Sequence, residues 1–255
     1  MKRLFLVSAC LIPNFHTAVD NTSRAVCAKR ELFRAHNIVA WSDDSVAGAF
    51  FYESGFAIDA DGSPRAYHPT DRLGLDSLSH AGHRGNWWAL VTDNETKSGT
   101  PVLQGAADPA PGYFVSTTAL YDRTNTNPRD PRRYVDAEKI PYVVLHPKAL
   151  HYARLGDFAT VLNLKNRKVS AAIVADVSAA NLPVGEGSIA LAEALGIESS
   201  PRHGGQDGKV VFVIYPSSGN GKPREIQDIL ANSNRLFEVW GGVTRLDACL
   251  VSSTR

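Results

Sequence analysis

The chain has 255 residues, 44% hydrophobic and 21% charged, the profile of a globular protein able to bury most of its apolar surface. Its 27 basic and 26 acidic side chains leave a formal net charge of +1, which excludes an overall field that would draw in nucleic acid or an anionic membrane. No run approaches the roughly 18 consecutive apolar residues of a membrane-spanning helix, and there is no internal repeat, so one domain is the default.

At the N terminus, MKRLFLVSACLI places Lys2 and Arg3 ahead of an apolar run, the shape of a short secretory signal. Residues 1–21 are therefore read as a signal or a disordered N terminus, residues 22–255 as a single domain, and secretion is expected. The three cysteines, Cys10, Cys27 and Cys249, allow one disulfide. With Cys10 lost in a signal, Cys27 and Cys249 are left to join the two ends, although spacing does not show that they meet. The sequons at Asn21 and Asn94 fit export but arise often by chance.

Further along, short runs rich in Val, Ile, Phe, Tyr and Thr and bounded by Gly, Pro or Asp predict strands at 49–58, 87–92, 113–118, 142–145, 159–163, 170–175 and 209–214. Asp61-Gly62 signals a hairpin after the first, Gly156-Asp157 a turn between two strands, and 122–133 (DRTNTNPRDPRR) a solvated loop. Helical periodicity is confined to 188–195 and 224–240, where Ile226, Ile229, Leu230, Phe237 and Trp240 line one face. The last fifteen or so residues pack across the barrel in this reading. The expected fold is mainly β with a few helices, a closed barrel around a single core, because closure removes exposed sheet edges.

Two acids stand out in AAIVADVSAANLPVGEGSIALAEALGI (171–197). Asp176 ends a run that reads as buried on both faces, and burial raises a carboxyl pKa. Glu186 lies between Gly185 and Gly187, which permit a tight turn and close approach of a ligand. The helix starting near Ser188 puts its positive end close by, favouring the ionised form. Two carboxyls pushed in opposite directions suit glycoside hydrolysis. The competing reading makes Asp176 a turn acid and Glu186 a helix N-terminal residue.

Around that pair run YESGFAIDADGSPRAYHP (52–69), GLDSLSHAG (74–82), GNWWALVTD (85–93), DPAPGYFVSTTAL (108–120), RYVDAEKIPYVVL (133–145) and GEGSIALAEALGI (185–197). In this order, across 31–216, they resemble the family 75 glycoside hydrolases, the chitosanases. The resemblance implies endo-hydrolysis of β-1,4 bonds in chitosan with inversion, no cofactor and a double-psi-like barrel. It also implies that the two essential acids fall on Asp176 and Glu186. One departure is Val177-Ser178-Ala179-Ala180, where the family pattern has Gly-Pro after Asp-Val.

Chitosan is a polycation, so its cleft calls for carboxylates and aromatic faces. Asp59, Asp61, Asp93, Asp136 and Glu138, with Glu53 behind them, are candidates, as are Tyr67, His68 and one of Trp87 and Trp88, taken as Trp88. Each has a competing role as a turn acid or a core ring. His80 and His83 lack a third ligand and DADG (59–62) lacks most of a calcium loop, so no metal is expected. By the environment argument Asp176 is the general acid and Glu186 the general base, an order that stays open. The expected partner is chitosan, with no nucleic acid and no membrane, and the chain is expected to be a monomer. A non-catalytic polysaccharide-binding barrel and a hydrolase of another glycan remain alternatives.

Overall fold

The computed structural model describes residues 27–251; the signal reading of 1–21, Cys10 and the Asn21 sequon lie outside them. In chain order the strands are β1 (Lys29–Ala35), β2 (Ile38–Asp43), β3 (Phe50–Asp59), β4 (Gly82–His83), β5 (Asn86–Trp87), β6 (Tyr142–Leu145), β7 (Phe158–Asn163), β8 (Val169–Val177), β9 (Glu186–Ser188) and β10 (Gln206–Ile214). The helices are α1 (Ile189–Leu195), α2 (Ile226–Trp240) and α3 (Gly242–Val251).

The main sheet runs β1-β2-β3-β10-β7-β8-β6-β9, and β9 pairs back onto β3. That last pairing closes six strands into a mixed barrel, with β1 and β2 extending one edge. Wall strands β6, β7 and β8 are buried on both faces along most of their length, as their Val, Ile, Leu and Ala runs require. One face gathers Tyr52, Phe56, Val143, Val161, Val174 and Phe212 with Leu191 and Leu195 of α1. The stacked rings of Tyr52 and Phe56 on Phe212 are part of this cluster. Because α1 reaches β3, β6, β7, β8 and β9, it lies across the barrel rather than along one wall. The opposite face gathers Phe51, Val144, Leu162, Ile173 and Val213 under Ile229, Phe237 and Trp240 of α2 and Leu246 of α3. Among the described residues no helix is long and apolar enough to cross a membrane.

The predicted strands at 49–58, 142–145, 159–163, 170–175 and 209–214 correspond to β3, β6, β7, β8 and β10. Those at 87–92 and 113–118 do not form as continuous strands. Only Asn86–Trp87 pairs regularly, and the rest meet through single bridges such as Leu90 with Ser116 and Leu103 with Phe114. Pro101, Pro109 and Pro111 lie in the intervening segments and cannot donate to a ladder. Asp61-Gly62 does not make a hairpin either. Gly62, at φ +78°, faces Val135, whose carbonyl an added Cβ would meet at 2.1 Å, so the chain turns against the 134–137 segment instead of reversing along β3. Gly156-Asp157 leads into β7 after a short 3-10 turn, Pro147–His151, not after a strand.

Candidate active site

β6 sets the geometry. It pairs with β8 on one side and β9 on the other, and Val144 is in register with both Asp176 and Glu186. Directly paired residues on neighbouring strands project to the same face, and adjacent strands lie about 4.8 Å apart, which puts the two acid Cα atoms about 9 to 10 Å from each other. The register of β6 on β8 slips between Val143 and Val144, so that Ala175 is passed over. Without that bulge the alternation along β8 would carry Asp176 to the other face; with it, Asp176 shares the face of Val144. The two glycines beside Glu186 serve the wall itself. A Cβ on Gly185 (φ +104°) would meet Ser54 Oγ at 2.2 Å, and one on Gly187 would meet Leu191 Cδ2 and Phe56 Cζ at 2.9 Å. Close approach of protein, rather than of a ligand, explains Gly187.

The third strand of the site is β3, parallel to β9 with Ala57 opposite Glu186 and Asp59 opposite Ser188. Asp59 and Asp61 at its end therefore join the acids, and carboxylate oxygens of Asp59, Asp61 and Asp176 lie within 4.8 Å of one another. Asp59 Oδ1 accepts the Asp61 N–H at 2.8 Å, and Asp61 Oδ1 accepts from Tyr67 Oη at 2.7 Å and Ser116 Oγ at 3.4 Å. Tyr142 donates to the Asp61 carbonyl at 2.9 Å. Asp176 Oδ1 accepts the N–H groups of Val177 at 2.7 Å and Ala119 at 3.3 Å. A further acid, Asp76, is buried with its carboxylate on the N–H of Ser77 and on His80 Nδ1. Its charge is felt by Asp59 and Glu186.

Burial, and after it the other carboxylates, pushes the group upward. Asp59 is raised to about 6, Glu186 to about 8, and Asp61 and Asp176 well above the ordinary carboxyl value. The expectation that Glu186 is held ionised is therefore overturned. α1 has only seven residues, its Ser188 cap spends its oxygen on the Leu191 N–H, and desolvation beside Asp59, Asp176 and Asp76 dominates. Acids whose folded values exceed their unfolded ones hold protons that the unfolded chain has released. Stability therefore falls as pH rises from about 4, the unfolded carboxyl range, to about 8. Thermal unfolding across that window should give a decreasing Tm; a Tm flat or rising from pH 5 to pH 8 would contradict this placement of the acids.

This pair of facing acids sits inside a family match: fungal chitosanase of glycosyl hydrolase group 75, over residues 112–240. The chain belongs to this family. It is a glycoside hydrolase that acts on chitosan, as the resemblance implied. The match includes Asp176 and Glu186, whereas Asp59, Asp61 and Asp76 precede it and are joined to the site by the barrel alone. No curated protein matches the chain.

For this chitosanase the other candidates divide by position. Tyr67 is buried and meets Asp61 only through its hydroxyl. Trp88 is 49% exposed, with Nε1 donating to the His80 carbonyl. His68 accepts the Thr70 N–H and lies edge-on to Tyr113. Asp93 accepts the Thr100 N–H in an exposed turn, and Glu53 pairs with Lys209. Asp136 pairs with Lys139, and Glu138 is held by Ser63 and Arg65. None of His68, Asp93, Glu53, Asp136 and Glu138 is brought into the acid cluster. Asp136 instead lines a separate cavity of about 580 Å³ with Arg132, Arg133, Lys222 and Arg224. Asp76 and Tyr142 were not singled out in sequence: Asp76 lies a hundred residues from Asp176, and its only signal was its place inside GLDSLSHAG.

Proposed function

We propose that the enzyme hydrolyses internal β-1,4 glucosaminidic bonds of chitosan with inversion, using Asp176 and Glu186 across one groove. The observation that carries this is their shared register on Val144 from opposite sides of β6. A Cα spacing of about 9 to 10 Å is compatible with the roughly 6.5 to 9.5 Å between carboxyls that inversion needs to admit a water. The neighbouring Asp59, Asp61 and Asp76 suit a polycationic chain, whose ammonium groups stabilise carboxylates that are costly to ionise alone. The Cys27–Cys249 disulfide supports secretion into an oxidising compartment, where such a polymer would be met.

The roles follow from what surrounds each acid, both of which are raised above the ordinary carboxyl value. Glu186, raised to about 8, keeps its proton at neutral pH and is the general acid. Asp176 directs one oxygen at two backbone N–H donors, which favour its anion once substrate ammonium groups arrive, and it is the general base. This reverses the order inferred from sequence, because that order assumed an ionised Glu186. Loss of the Glu186 proton gives kcat/KM an alkaline limb near pH 8.

The test is to follow products from chitosan by NMR together with a reducing-end assay. Release of reducing ends with the α-anomer first is expected. A flat assay would leave a binding barrel, and β-anomer first would remove inversion. A Glu186→Ala variant should recover on aryl glycosides with acidic leaving groups, and an Asp176→Ala variant should recover with added azide; the opposite pattern would exchange the roles.

A further inference from the structure

Asp76 and His80 are unused by the chemistry above, yet they are built with care. The Asp76 side chain is 4% exposed and the His80 side chain 59%. His80 Nδ1 lies 2.8 and 3.0 Å from the two Asp76 oxygens. Arg202 braces the backbone beneath, its Nη2 donating to the carbonyls of Asp71 at 2.5 Å, Gly74 at 3.2 Å and Asp76 at 2.7 Å. Above, the backbone N–H groups of Trp88 and Ala89 both reach the Ala81 carbonyl. The Trp88 indole is tied to the His80 carbonyl at 2.8 Å while half its surface stays open. A carboxylate on Nδ1 fixes the tautomer and turns the Nε2 lone pair outward, as it does for metal-binding and catalytic histidines. The 76–89 segment is tied to the acid cluster through Ser116, whose Oγ meets both the Ala89 carbonyl at 3.2 Å and Asp61 Oδ1 at 3.4 Å, and the Asp76 charge acts on both Asp59 and Glu186. The result is an exposed, oriented acceptor beside an exposed flat ring at the edge of the acid cluster.

We infer that His80 and Trp88 form a sugar subsite next to the catalytic acids, in which one glucosamine ring rests on the indole and donates its 2-ammonium to His80 Nε2. Asp76 acts through His80 as a positioning residue. The subsite rests on the chitosan reading. An ammonium has only donors to offer, and the lone pair of an Asp-held imidazole is a complementary acceptor. The indole face adds stacking and cation-π attraction for the same charged ring. A purely structural alternative makes the pair a brace for the 78–80 turn.

The experiment uses Glu186→Gln as the parent, so that a glucosamine hexamer binds without being cut, and measures affinity by calorimetry. Adding His80→Ala should weaken binding about tenfold, the size of one charge-assisted hydrogen bond, and Trp88→Ala should weaken it by at least as much. His80→Gln, which keeps an acceptor, should recover part of the loss. In the otherwise native enzyme, His80→Ala should raise KM about tenfold with a much smaller fall in kcat, an effect that shrinks as the substrate is made more acetylated. Hexamer binding within twofold of the parent, or a Tm that drops while KM stays put, would overturn the subsite and leave the brace. Failure of the chitosan reading looks different: the native enzyme would release no reducing ends and the Glu186→Gln parent would not bind the hexamer, and the subsite would fall with it.

Discussion

Glu186→Gln and Asp176→Asn should each lower kcat/KM on soluble chitosan by about 10²- to 10⁴-fold, the usual worth of a positioned acid or base. Both should at the same time raise the melting temperature at pH 8. The second half of the expectation is what separates a catalytic loss from damage. Both side chains occupy places where burial and neighbouring carboxylates oppose ionisation, so the native protein carries strain there that an uncharged amide relieves. Asn at 176 still offers an oxygen to the N–H groups of Ala119 and Val177, and Gln at 186 loses no intramolecular hydrogen bond among those observed. Scanning calorimetry at pH 5 and pH 8 would show the stabilisation growing with pH. If both variants kept more than a tenth of native activity, the chemistry would have to lie elsewhere in the cluster.

The acids were visible in the sequence for a reason that turned out to be half right. Asp176 at the end of AAIVAD does sit at the edge of an apolar wall, and the helix after Ser188 is real. What periodicity does not encode is the bulge at Val143/Val144 that turns Asp176 onto the face of Glu186, nor the β3–β9 pairing that brings Asp59 and Asp61 beside them. Both are long-range choices of register. The strongly apolar strands β3, β6, β7, β8 and β10 were readable because they are buried on both faces along most of their length. β1 (KRELFRA) was not, since its exposed edge position lets polar residues replace the pattern, and α3 was obscured by Gly241 and Gly242 at its start. Asp93, Asp136 and Glu138 are common turn and ion-pair acids, and composition alone does not distinguish these from cleft acids. Tyr67 is buried, and its hydroxyl donates to Asp61 without facing the groove.

α3 also carries one end of a disulfide that constrains the chain. Cys27 and Cys249 form a disulfide across a sequence separation of 222 residues, so it joins nearly the whole length of the described chain into one loop. Cross-linking a loop of that size removes unfolded-state entropy worth up to about 5 kcal/mol in the chain-entropy account. The bond is reinforced by a buried ion pair: Arg245 Nε lies 2.6 Å from Asp43 Oδ2, and Cys249 Sγ lies 3.7 Å from the same oxygen. The double variant Cys27→Ala/Cys249→Ala should therefore lower the unfolding free energy in guanidinium by several kcal/mol. Because none of Asp59, Asp61, Asp76, Asp176 and Glu186 lies on α3 or β1, activity on chitosan at 25 °C should survive in whatever fraction remains folded. The ion pair alone cannot substitute, since it constrains only the native state, whereas the cross-link acts on the unfolded one. A loss below about 1 kcal/mol would mean that the unfolded chain already keeps its ends together, and loss of activity without unfolding would place α3 in contact with the groove.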